Sequence, residues 1–168
     1  MFFPTIYRGV KKKYLLSKDF ANAKADDIFP AGKNLKILTC YETRTSWIEN
    51  AGQGKFIMHA LPIEAQFAPV NSILCEDLDG DGIRDMLLAG NEYQTEVMTG
   101  RYDASYGFFL KGLGNKQFKV ISPTESGFRV DGDIKDMKVI RNSAHEKLVL
   151  VGVNNDYLKV FKCKAKEK

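Results

Sequence analysis

Trp47-Ile48-Glu49-Asn50-Ala51-Gly52-Gln53-Gly54-Lys55-Phe56 returns 62 residues later as Phe109-Leu110-Lys111-Gly112-Leu113-Gly114-Asn115-Lys116-Gln117-Phe118. Each copy reads as an apolar strand, a glycine-rich turn and a second strand opening on phenylalanine, which is hairpin chemistry. Both copies then run to a proline, Pro62 and Pro123. Further on, Gly82-Ile83-Arg84-Asp85-Met86 is paralleled by Asp133-Ile134-Lys135-Asp136-Met137, and each leads into a short apolar stretch. A third, partial copy is Leu148-Val149-Leu150-Val151-Gly152-Val153, a turn at Asn154-Asn155-Asp156, and Tyr157-Leu158-Lys159-Val160-Phe161. The alternation in that last stretch suits a half-buried strand.

Repetition at this period, with about four strands per unit, predicts an all-β chain built of β-propeller blades rather than a sandwich. The 168 residues hold about two and a half four-stranded units, short of the roughly four blades that close a ring. The expectation is an incomplete ring whose open sheet edges invite the remaining blades or self-association. The units expected are an N-terminal extension at 1–36, a first unit at 37–97, a second unit with its closing hairpin at 98–161, and a basic tail at 162–168. One short helix is expected over 14–28, with Ser17 as its cap, Leu15, Phe20, Ala23 and Ile28 on one face, and Pro30 as its stop.

The chemistry-bearing stretch is Asp77-Leu78-Asp79-Gly80-Asp81-Gly82-Ile83-Arg84-Asp85. Carboxylates at loop positions 1, 3, 5 and 9 turn oxygens inward onto one point, and glycines allow the positive φ that so tight a loop demands. Four carboxylates this close repel one another, and a hard divalent cation is the usual compensation. The expected ligands are Asp77, Asp79, Asp81, the Ile83 carbonyl and Asp85. With oxygen donors alone and neither His nor Cys nearby, Ca²⁺ is favoured over zinc or copper. An EF-hand needs helical flanks and Glu at position 12. Position 12 is Leu88, and both flanks read as strands, so a strand-loop-strand site is expected. In the second copy, in register with Asp136, the loop positions become Phe128, Val130 and Gly132, so no second site is expected from Asp131, Asp133 and Asp136.

Composition narrows the rest. The formal charge of +4 comes partly from Lys11-Lys12-Lys13 and the C-terminal lysines, with no basic helix or stripe to suggest nucleic acid. No apolar run approaches the ~18 residues of a membrane span. The order of Met1-Phe2-Phe3-Pro4 and the later lysines is not that of a signal peptide. Cys40 and Cys75 lie in apolar runs and, with Cys163, make an odd count without CxxC spacing; buried thiols are expected.

Neither GxSxG, HExxH nor a paired-acid arrangement is present, and His59 and His145 are isolated in a strand and a turn. The expectation is a non-catalytic chain. A polar-aromatic insert at 92–106 carries Tyr93, Arg101, Tyr102, Asp103 and Tyr106, a composition found at protein and carbohydrate contacts. The alternative is that this insert packs on its own or the next blade, with Arg101 and Asp103 forming a local ion pair.

The aspartate loop followed by an apolar strand resembles the FG-GAP/VCBS repeat of integrin α-subunit propellers and bacterial surface proteins. Ile48-Glu49-Asn50, Gly54-Lys55-Phe56, Ala65-Gln66-Phe67-Ala68-Pro69, Gly100-Arg101-Tyr102-Asp103-Ala104-Ser105-Tyr106-Gly107 and Asn154-Asn155-Asp156 resemble the C-terminal part of bacterial VCBS-repeat proteins of the ASPIC/UnbV type. The resemblance implies a propeller, structural calcium, and export to an extracellular, periplasmic or outer-membrane setting. It also implies adhesion, or binding of polysaccharide or protein ligands. An exported N-terminus and the other blades are missing here, so a fragment of a longer protein is expected. The alternatives are a purely structural segment completing a larger propeller and, behind it, a polysaccharide-acting enzyme domain.

Overall fold

The computed structural model describes residues 8–28 and 38–164. The chain divides into two compact units, Met1–Glu42 and Thr43–Lys168.

The first unit carries three short helices, α1 (Arg8–Lys13), α2 (Ser17–Ala21) and α3 (Ala25–Ile28). The single helix expected over 14–28 is thus broken in two. Ser17 is already inside α2, and Leu16 holds the cap position without a side-chain bond. An apolar cap offers the first amides no side-chain acceptor, which weakens initiation. The break at 22–24 is closed by Lys24 N, which donates to Asp27 Oδ2 at 3.0 Å. Pro30 lies outside the described residues.

The second unit is all-β. Its strands are β1 (Ser46–Asn50), β2 (Phe56–Ala60), β3 (Val70–Glu76), β4 (Asp85–Gly90), β5 (Phe108–Gly112), β6 (Phe118–Ile121), β7 (Ile134–Arg141), β8 (Lys147–Val153) and β9 (Lys159–Lys162). They form three antiparallel sheets ordered β1-β2, β3-β4-β5-β6 and β7-β8-β9. These are blade-like meanders with no closed barrel, the all-β architecture expected. The boundary at 97/98 falls inside the four-stranded sheet, in the β4–β5 connection, so the sheets run across it.

The two hairpins recognised in the sequence are β1-β2 and β5-β6, and their turns are copies. Ala51 N donates to Lys55 O at 2.9 Å and Lys55 N to Gly52 O at 2.9 Å; Leu113 N donates to Gln117 O at 3.0 Å and Gln117 N to Gly114 O at 3.0 Å. Gly52, Gln53 and Gly54 have φ of 83°, 51° and 73°, against 75°, 47° and 64° at Gly114, Asn115 and Lys116. After each hairpin the proline opens one helical turn, Ile63–Gln66 in the first case and α4 (Pro123–Ser126) in the second.

The second sequence parallel is corrected by the structure. Met86 lies on β4, the second strand of its sheet, whereas Met137 lies on β7, the first of the next. The equivalent strands are β3 and β7. Each has a register shift, between Val70 and Ser72 and between Ile134 and Asp136. Each sheet also closes at that end in the same way: Asn91 N donates to Pro69 O at 3.0 Å, and Asn154 N to Asp133 O at 2.8 Å. The aspartate loop between β3 and β4 therefore corresponds to the short 142–146 turn between β7 and β8. The residues 128–136 precede or open β7 and are not its counterpart. Matching short apolar-acidic strings could not separate first from second strands, because both alternate with the same period.

The central sheet is covered on both faces. Leu87 and Ala89 join Leu78, Phe128, Val130, Ile134, Met137, Val149, Val151 and Val153 in one core. Leu88 and Leu110 join Leu61 and Ala65 in another, flanked by Trp47, Met86 and Phe118. The thiols depart from expectation: Cys40 and Cys75 are exposed and Cys163 half-buried, all unpaired. β3 is an edge strand on which Ile73 is also 52% exposed, so an apolar run there does not mean burial on both faces.

Leu88 is fully buried against the β1-β2 side. Leu88→Ala is expected to cost about 2–5 kcal/mol, read as a lowered urea midpoint with an unchanged m-value.

Candidate metal loop and the polar insert

The aspartate loop links two paired strands, with Glu76 opposite Asp85 at its base. Its flanks are therefore strands, as expected, and Leu88 is a buried β4 residue rather than a ligand position. The loop folds by turning its own amides onto its acids. Gly80 N donates to Asp77 Oδ1 at 2.7 Å, Gly82 N to Asp77 Oδ2 at 3.2 Å, Asp81 N to Asp79 Oδ1 at 3.2 Å and Ile83 N to Asp81 Oδ1 at 2.9 Å. Gly80 and Gly82 have φ of 83° and 87°, a region that other residues enter only at a cost.

Asp85 anchors the base. It is fully buried; Leu78 N donates to its Oδ2 at 2.9 Å and Gly112 N to its Oδ1 at 2.9 Å. Gly112 is required there, since a Cβ would fall 2.2 Å from the Arg84 carbonyl oxygen.

Asp77, Asp79 and Asp85 each bring a carboxylate oxygen to within 4.8 Å of the others. Three convergent anionic oxygens could hold a metal ion, and hard donors of this kind suit a hard divalent cation. Asp81 is outside that cluster. The Ile83 amide is engaged with Asp81, and its side chain borders Gly112 and Gly114.

The loop's charge is met by a residue outside it, which the sequence reading missed. Lys111, on β5, places its ammonium on Asp79 Oδ2 and Asp81 Oδ2. Hydrogen bonds to Asp79 and then Asp81 hold this ammonium protonated well above the ordinary lysine range. Lys147, at the start of β8, donates to the Asp77 carbonyl. A signal for Lys111 existed in the repeat: it occupies the position of Glu49, a reversal of charge within otherwise similar hairpins. Glu49 itself pairs with Lys116 and His59, and these, Lys116 first, hold its carboxyl below the usual range.

The insert is built differently. Glu92 and Tyr102 bridge through reciprocal backbone bonds of 2.9 Å. Asn91, fully buried at φ 80°, sends Nδ2 to Ser105 O at 2.8 Å and Gly132 O at 2.9 Å, and accepts from Ser105 N at 3.0 Å. Lys135 reaches both Glu92, at 3.4 Å, and buried Asp133, at 2.8 Å.

Of the proposed ligand residues, Tyr93 and Asp103 are joined, Oη donating to Oδ1 at 2.7 Å. Arg101 does not form the local pair with Asp103; its guanidinium lies 4.8 Å from the Tyr93 ring centroid, a cation–π arrangement. Tyr102 and Tyr106 are 50% and 45% exposed, and Arg129 covers the Tyr106 ring at 4.1 Å.

His59 stacks on Trp47 at 4.4 Å and contacts Glu49 at 3.0 Å. Both rings border an open cavity of about 320 Å³ with Ala60, Leu61, Pro62, Lys116 and Phe118. No hydroxyl or thiol side chain is among these lining residues. His145 sits in the 142–146 turn at φ 60°. Among the described residues no helix is long and apolar enough to cross a membrane. Comparison with known protein families, curated proteins and solved structures finds no match.

Burial, then the bond to Asp103, pushes the Tyr93 phenol up to about 12 from 10.0. The folded state thus favours the neutral phenol, and its contribution, complete below pH 10, is lost as pH rises through about 12. Ultraviolet titration is expected to show Tyr93 ionising late, and Asp103→Asn to move it toward the ordinary value.

Proposed function

We propose that this chain is a non-catalytic, calcium-binding propeller segment of a surface or periplasmic binding protein. The observation that carries it is the convergence of Asp77, Asp79 and Asp85 in a strand-loop-strand frame. These three would hold the ion, which would supply positive charge and join the loop to the buried base formed by Asp85. Resemblance to FG-GAP/VCBS repeats supports the same reading, and so do the antiparallel sheets with edge strands among the described residues. Further blades, or a second copy, would cover those edges.

An ion that binds only the folded chain raises stability by RT ln(1 + [L]/Kd), about 2.7 kcal/mol at a hundredfold excess over Kd. Calcium is expected to raise Tm by several °C relative to EDTA, and Asp77→Asn with Asp79→Asn to remove that rise. Equal melting of the wild type in calcium and EDTA would overturn the metal assignment.

The insert supports a ligand-contacting role for the same segment. Buried Asn91 is bonded to Asp103, and Asp103 to Tyr93, while Tyr102, Val97 at 95% and Met98 at 84% face outward. A rigid base with exposed aromatic and apolar side chains suits a protein or polysaccharide ligand. Binding on a glycan array should be lost with Tyr102→Ala and kept with Tyr157→Ala, another exposed tyrosine.

A further inference from the structure

Lys111 is separated from the aspartate loop by some thirty residues yet sends its ammonium into it, touching Asp79 and Asp81 together. Its backbone lies opposite Lys119 on β6. Like charges directly across a ladder are unfavourable, and turning Lys111 onto the loop relieves that repulsion. Asp79 belongs both to this ion pair and to the carboxylate cluster with Asp77 and Asp85.

We infer that Lys111 is the loop's resident counter-cation, exchanged for the metal: its ammonium neutralises Asp79 and Asp81 when no ion is bound and must withdraw from Asp79 when one binds. This rests on the metal reading and adds the residue that sets its affinity. Two positive groups cannot share one carboxylate at contact distance without a Coulomb cost. The lysine therefore lowers metal affinity while keeping the loop folded without metal. The side chain has a place to go, because Asp81 lies outside the carboxylate cluster and can retain the ammonium.

The test uses the full chain with Lys111→Met, which keeps the apolar stem and removes the charge. Two readouts are compared with wild type: melting in EDTA, and calcium affinity by calorimetry. The expected result is a lower Tm in EDTA, a deficit that calcium abolishes, and calcium binding tighter by about tenfold, of the order expected for removing one nearby charge at a partly exposed site. Lys111→Arg, retaining charge, should behave as wild type in both. Unchanged melting in EDTA, with calcium still bound, would overturn the exchange and leave the metal site standing. A deficit in EDTA that calcium fails to repair, with no heat of binding in either protein, would overturn the exchange and the metal site together.

Discussion

Strand β4 has no solvent-facing side. Leu87 and Ala89 are buried against the three-stranded sheet and Leu88 against the hairpin side, with exposures of 3% or less. A strand apolar on both faces must be covered on both, so the central meander has to sit between two other sheets. The hydrophobic gain, about 25 cal/mol per Å² of apolar surface removed from water, drives sheets that share few backbone bonds to pack. Two of the side-chain bonds between these sheets come from short residues placed at a register shift: Asn71 Nδ2 reaches Ile134 O at 3.0 Å, and Met137 N donates to Ser72 Oγ at 2.9 Å.

That same strand starts at Asp85, and its burial explains the form of the loop. A carboxylate with no exposure must find donors, and Leu78 N and Gly112 N supply them. The loop is thereby tied at its base to β5, which brings Lys111 within reach of Asp79 and Asp81. At the other end of β4, Gly90 lies against Pro69, where a Cβ would fall 1.7 Å from the carbonyl oxygen, and Asn91 then ties the insert to the next sheet. One buried strand thus positions the acidic loop at one end and the polar insert at the other.

The two meanders are copies that have diverged in their connections. β3 and β7 share a register shift, and β4 and β8 end on the same asparagine-to-carbonyl bond. The aspartate loop stands where the other sheet has the tight 142–146 turn, and the 92–106 insert stands where the other has the turn after Val153. The loops that differ are the two that carry polar chemistry, consistent with function residing on connections held by a rigid scaffold.

Local chemistry was enough to read the hairpins, the strand flanks of the loop and the all-β class. Those features depend on period-two alternation and on turn residues a few positions apart. The convergence of Asp77 and Asp79 was legible for the same reason, since loop spacing alone turns them inward. Lys111, Asn91 and the buried state of Asp85 were not legible, because each is defined by a partner from 14 to 32 residues away. The exposed cysteines and the broken helix show the same limit from the other side: an apolar run states a preference for burial, and only the neighbours that arrive in the folded chain decide whether a given face is covered. The strand pairing that separates β4 from β7 was likewise settled by which sheet each joined, as alternation along a strand carries no record of its place in the sheet.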